Sequence, residues 1–353
     1  MQLLKILQHI ASNLKITASD LHLTYANFPT IEIPTATLAQ LQKMPQQIQY
    51  KCLNLQMLRL IYSIYCEGSP VTEVSEEFQM NDLILKKIAS VEVDWEFYEQ
   101  LESNNIGKGW FHPDYRVLRE EADGSLAVQY DGVIIHIQRN HHLPLTNQSA
   151  MVGDLVSIWS PSSYLQQDFY LVMGDASGDF GHPANFSNQA VLVYFNFSHE
   201  AAIAAMKCVT TRLNAMNVPF TFKVLYNPLK YKRYDSGILR FDNVEYKLVW
   251  EVLKTIYTEN KSHFQPQTPL FTKVLAPGIG LAEHPDRQFR YQESFGINRC
   301  QIVANALLEA HTNGDESPES RMKYILKYLD KFRIDIEHPY LNPNSEDIYT
   351  PLE

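Results

Sequence analysis

The chain has 353 residues, 45% of them hydrophobic, enough to fill the core of one large domain or of two smaller ones. Its formal net charge of −10 argues against general affinity for nucleic acid, whose phosphate backbone is bound by basic surfaces. No apolar run approaches the length of a membrane span, and the N-terminus mixes charged and apolar residues at helical spacing instead of presenting a signal h-region. Cys52, Cys66, Cys208 and Cys300 form no CxxC pair, so neither a disulfide framework nor a zinc knuckle is indicated. A cytoplasmic protein with reduced thiols and no nucleic-acid or membrane partner is the expectation.

Residues 1 to about 105 read as a helical N-terminal domain. Leu3, Leu4, Ile6, Leu7, Ile10 and Leu14 form one apolar stripe, and Ile48, Cys52, Leu55, Leu58, Ile61 and Tyr65 form another. From Gly107 the composition turns to β, with Asp123-Gly124 and Asp131-Gly132 separating alternating segments as in a hairpin or small meander. His136, His141 and His142 follow, with no carboxylate or cysteine at ligand spacing in the sequence, so no metal site is predicted. Strands are expected at 155–159 and 169–173, then a polar Gly/Asp/Asn loop containing His182, then a strand at 190–197.

Ser198 is placed to cap a helix carrying Ile203, Met206, Thr210 and Leu213, which delivers the chain into FTFKVLYNPLKYKRYDSGILRF, Phe220 to Phe241. Here Lys223 stands between Phe222 and Val224, and Lys230, Lys232, Arg233 and Asp235 follow. Taken alone, such a lysine reads as an edge-strand residue snorkelling to water; desolvated beside other cations, it would instead be a low-pKa base. Asp242 and Glu245 resemble a capping box for a helix with Val244, Leu248, Val252 and Ile256 inward. A Pro/Gly-rich loop and helices at about 298–312 and 318–333 complete the domain, with a draping or mobile tail after His338. The expected fold class is α+β: a helical N-terminal region, then a mixed or antiparallel-sheet domain with packed helices over residues 106–353.

Several chemistries are excluded. Gly278-Ile279-Gly280 lacks the Lys-Ser/Thr of a P-loop, and no nucleophile elbow or His-Glu-x-x-His helix occurs. What remains is cationic: Lys223, Lys230, Arg233, Lys273, Arg290 and Arg299 lie in the most distinctive segments of an acidic chain. Arginine forks and lysine point charges together suit a phosphomonoester dianion.

The runs VPFTFKVLYNPLKYKRYDSGIL, TPLFTKVLAPGIGLAEHP and ESFGINRCQIVANALLEA resemble the HopA-type effector family over roughly residues 107–312. Close relatives of this family in peptide natural-product clusters of the class V lanthipeptide and thioamitide kind act as lyases. They eliminate phosphate from phosphoserine or phosphothreonine beside a separate kinase, and they look distantly like the OspF/SpvC phosphothreonine lyases. The resemblance implies Lys223 as base, Arg233, Arg299 and Lys273 as phosphate clamp with Lys230 and Arg290 nearby, and Asp235 in support. The lysine and histidine of the phosphothreonine lyases would fall on Leu192 and Tyr194, which leaves Tyr194 and His182 as alternative general acids. A phosphorylated precursor peptide and a kinase are the implied partners, with no cofactor and no metal. A non-catalytic phosphopeptide-binding or protein-binding module is the alternative.

Overall fold

The computed structural model describes residues 2–17, 21–26, 28–31, 35–68, 93–166, 168–177, 189–290 and 293–353. Alternating burial in Phe220–Val224 and in Gly237–Asp242 marks a pair of antiparallel strands at the middle of a seven-stranded sheet. In chain order its strands are β8 (Ser163–Gln166), β9 (Phe169–Met173), β10 (Ala190–Phe195), β11 (Phe220–Leu225), β12 (Gly237–Asp242), β13 (Lys273–Ala276) and β14 (Ile279–Glu283). The spatial order is β13-β14-β10-β12-β11-β9-β8, and every neighbouring pair is antiparallel. β11 is therefore an interior strand, so Lys223 is not the edge residue that its local sequence alone implies.

One face of the sheet carries Val193, Phe195, Phe220, Phe222, Leu239 and Phe241, all fully buried. Burying each such side chain contributes roughly 1.5–3 kcal/mol. The apolar stripe of the following helix, Ala202, Ala205, Met206, Val209 and Leu213, joins them in one core. The opposite face is half open at its centre: Thr221, Lys223, Ile238 and Arg240 are all partly exposed.

Among the described residues there are nine α-helices: α1 (Gln2–Asn13), α2 (Thr35–Leu41), α3 (Gln46–Tyr62), α4 (Trp95–Asn104), α5 (Arg139–His142), α6 (His199–Ala215), α7 (Tyr246–Asn260), α8 (Phe295–Thr312) and α9 (Pro318–Lys331). Ser198, Ser294 and Ser317 cap α6, α8 and α9 through side-chain bonds to backbone N–H groups. The Asp242–Glu245 segment does not cap α7. It forms a 3-10 turn, and α7 starts at Tyr246. Its inward face is thereby Val249, Val252, Leu253 and Ile256, while Val244 and Leu248 are exposed.

The first hundred residues are not wholly helical. Leu14 leaves α1 to pair with Tyr25, and β1 (Leu14–Thr17), β2 (His22–Tyr25) and β3 (Phe28–Ile31) form a small sheet. Leu7, Ile10, Leu53, Met57 and Ile61 share the main core with the large sheet. A second core is confined to β4 (Trp110–Glu120), β5 (Leu126–Tyr130), β6 (Val133–Ile137), β7 (Leu155–Ser160) and the segment between β6 and β7, centred on Val117, Leu126, Val128 and Ile158. Asp131 and Gly132 both take positive φ in the two-residue turn that joins β5 to β6.

Candidate functional site

Registration across the sheet decides which cations share a face. Lys223 lies opposite Ile238, and Ile238 lies opposite Tyr194, so all three side chains emerge on the half-open face. Arg240 is opposite both Thr221 and Leu192, one pleat along on the same face. Lys223 Nζ lies 4.6 Å from the centre of the Phe169 ring, and the Arg233 guanidinium approaches the same ring at 5.8 Å. Burial pushes the Lys223 pKa below its ordinary value; Asp235 opposes that shift, and Arg233 and Arg240 reinforce it.

The turn that presents Arg233 is tightly built. Ser236 Oγ donates to Arg233 O at 2.6 Å, Leu225 N donates to Ser236 O, and Tyr234 N donates to Glu67 O at 2.9 Å. Arg233 donates from Nε and Nη2 to the two carboxylate oxygens of Asp235 at 2.8 and 2.9 Å, and again from Nη2 to Glu67 Oε1 at 2.9 Å. Burial works against the guanidinium's charge, but the Asp235 fork more than offsets it, and its pKa rises. Glu67 is the last residue of a π-helical turn, Ser63–Glu67, that continues α3. Gly68 after it has φ of 72°, and a Cβ there would fall 2.4 Å from the Tyr234 ring. That close approach admits only glycine.

Tyr194 is buried, at 6% exposure, and its phenol is pushed well above the usual range by burial, with the neighbouring Cys66 and Asp235 adding to the shift and Arg299 opposing it. It is therefore a protonated hydroxyl at neutral pH. Lys230 stands at the rim, donating to Asp168 at 2.7 Å beside Phe169. His182 lies outside the described residues.

Three cations expected in the clamp are placed elsewhere. Lys273 shares its register with Leu281 and hence emerges on the opposite face, where it donates to Asp347 at 2.6 Å. Arg299 is 2% exposed and spends its fork on structure, donating to Pro339 O at 3.0 Å, Leu341 O at 3.1 Å and Asn298 Oδ1 at 2.8 Å. Burial brings its pKa down to about 10, although Asp286, Glu283 and Glu293 hold it up. Arg290 is exposed beyond β14. The face thus brings together Lys223, Tyr194, Arg233 and Asp235, with Lys230 at its margin, but it does not assemble the full predicted phosphate clamp.

Sequence reasoning missed Glu67, Phe169, Arg240 and His284. Arg240 was legible, because it has the same strand parity as Ile238 in GILRF. Glu67 was not, since its partner lies 166 positions away. Burial, helped by Arg240, brings the His284 pKa down to about 4, so its imidazole is neutral at pH 7. His136, for which no ligand partner was expected, lies 3.5 Å from Glu121 Oε1. A cleft of about 1020 Å³ runs between α1 and the loop 266–277, lined by Leu3, Phe28, Tyr65 and Pro269; it reaches the Arg233 turn at Gly68 and Tyr234 but is lined by none of the predicted site residues.

An antiparallel seven-stranded sheet, helices packed on it, N-terminal helices, and a half-open face bearing a desolvated lysine define an α+β protein with a candidate anion site. The HopA1 effector protein family matches over residues 160–341, more than half of the chain, and the chain belongs to that family. All seven strands of the large sheet fall within the match. Two effector protein structures from Pseudomonas syringae are similar to it. For the effector of pathovar tomato strain DC3000 the identity is 15%, covering 87% of this chain and 94% of that one, with a TM-score of 0.44. For the effector of pathovar syringae strain 61 the identity is 15%, covering 71% of this chain and 81% of that one, with a TM-score of 0.42. No curated protein matches. Among the described residues, no helix is long and apolar enough to cross a membrane.

Proposed function

We propose that this protein is a carbon–oxygen lyase that eliminates phosphate from phosphoserine or phosphothreonine in a peptide, leaving dehydroalanine or dehydrobutyrine. The observation that carries this reading is the position of Lys223: an amine desolvated against Phe169, on the same half-open face as a protonated Tyr194. A lysine acts as a base only when neutral, and its lowered pKa enlarges that fraction. In the reaction the Lys223 amine takes the α-proton, the Cα–Cβ double bond forms, and the Cβ–O bond breaks with its electron pair leaving on phosphate. Tyr194, two strands away at roughly 10 Å, would act on the leaving group directly or through water. The peptide would be phosphorylated beforehand by a separate kinase.

A second reading, a non-catalytic protein-binding module, is favoured by one observation: Arg233, Arg299 and Lys273 already have internal acceptors and form no open phosphate clamp. Incubation with a phosphoserine peptide followed by mass measurement separates the two. Elimination gives a product one water lighter than simple dephosphorylation does, whereas a binding module leaves the peptide unchanged.

A further inference from the structure

Resting on the reading of this face as a phosphate site, we infer that Glu67 is a resident stand-in for the substrate's anion: its carboxylate occupies the place on Arg233 that the phosphoryl group takes when substrate binds. The two carboxylates on Arg233 are not equivalent. Asp235 is two residues away in the same turn, chelates through both oxygens and is 4% exposed. It fixes the guanidinium plane. Glu67 comes from a different element, makes one bond at 2.9 Å and keeps about a quarter of its side chain in solvent.

The electrostatics favour exchange. Glu67 is held against a desolvation penalty and against the like charges of Asp235 and Asp168, with Arg233 opposing them. Release of its side chain to water removes both penalties. An incoming phosphate dianion would receive Nη2, together with Nη1, which donates to no described residue, while Lys223 on the same Phe169 ring stays the neutral amine that the elimination needs. Arg233 is thus a phosphate ligand whose acceptor is exchanged on binding, and Glu67 sets the threshold an anion must exceed. A neutral or singly charged peptide group lacks the charge to displace it, so the contact selects for the phosphorylated residue over the unmodified one.

The test uses inorganic phosphate, which has no α-proton and cannot be eliminated, titrated calorimetrically into the full chain. Glu67→Gln should bind phosphate about tenfold more tightly than the parent, and the double variant Glu67→Gln/Arg233→Gln should lose that gain. Glu67→Asp, which retains the charge but withdraws it by one methylene, should shift affinity in the same direction and covers the case in which the glutamine variant fails to fold. Unchanged affinity in the folded Glu67 variants, or a gain that survives loss of Arg233, overturns the inference. Tighter phosphate binding in a protein that never eliminates phosphate from a phosphoserine peptide would leave the Glu67 contact standing and remove the lyase reading alone.

Discussion

Lys223 sits against Phe169, and burial, reinforced by Arg233 and Arg240, disfavours its charge in the folded chain. Its folded pKa lies below its ordinary value of 10.5, so between those two values the unfolded chain binds the proton and the folded one does not. Stability attributable to this residue therefore rises with pH through that window and is lowest below it. Denaturation midpoints across alkaline pH should show this rise in the parent and lose it in Lys223→Met. For chemistry, Lys223→Ala should cut elimination by about 10³-fold while phosphopeptide still binds, as single-turnover assays and calorimetry would read. Asp235 is the inner partner of a largely buried arginine, and Asp235→Ala should cost roughly 3 kcal/mol in urea unfolding because it strips the guanidinium of its chelate. At this scale the proximity of Lys223, Arg233 and Asp235 was legible, because all three lie within one strand–turn–strand unit. That of Glu67 was not, because ion-pair partners far apart in the chain leave no local signal.

Elements show the same division. Caps are short-range chemistry, and Ser198, Ser294 and Ser317 stand where helix starts need an acceptor. The inward face of α7 depended on a 3-10 turn that displaced the helix start, which periodicity from Val244 does not reveal. Arg299 is the clearest case. Its place near the start of α8 fits an anion site by local rules, yet its fork holds the C-terminal segment through Pro339 O and Leu341 O. That segment packs Tyr340, Leu341, Tyr349 and Leu352 into the main core, and Leu352 N donates to Leu275 O on β13. Arg299→Ala should therefore destabilise the fold by about 3 kcal/mol and expose residues 338–353 to limited proteolysis. Intact resistance of that tail would show that the hydrogen bonds to Arg299 are dispensable.

Over the whole molecule, the large sheet, its helices and the N-terminal helices share one apolar core, while β4–β7 close around a much smaller one. Small cores open at lower free energy. Amides of β5 and β6 should therefore exchange with deuterium before those of β10–β12, as a hydrogen-exchange time course would read. The class of the fold was legible from the shift of pattern at Gly107; the sharing of cores was not, because it depends on which distant faces meet. The elimination proposed for the half-open face turns on Lys223. The most direct measurement is the mass of a phosphoserine peptide after incubation with the full chain, with the cognate kinase and leader present in a parallel sample. The expected product is dehydroalanine, one water lighter than the dephosphorylated peptide, and it disappears with Lys223→Ala. A peptide that stays phosphorylated in both samples, or that loses phosphate to give serine, would contradict it.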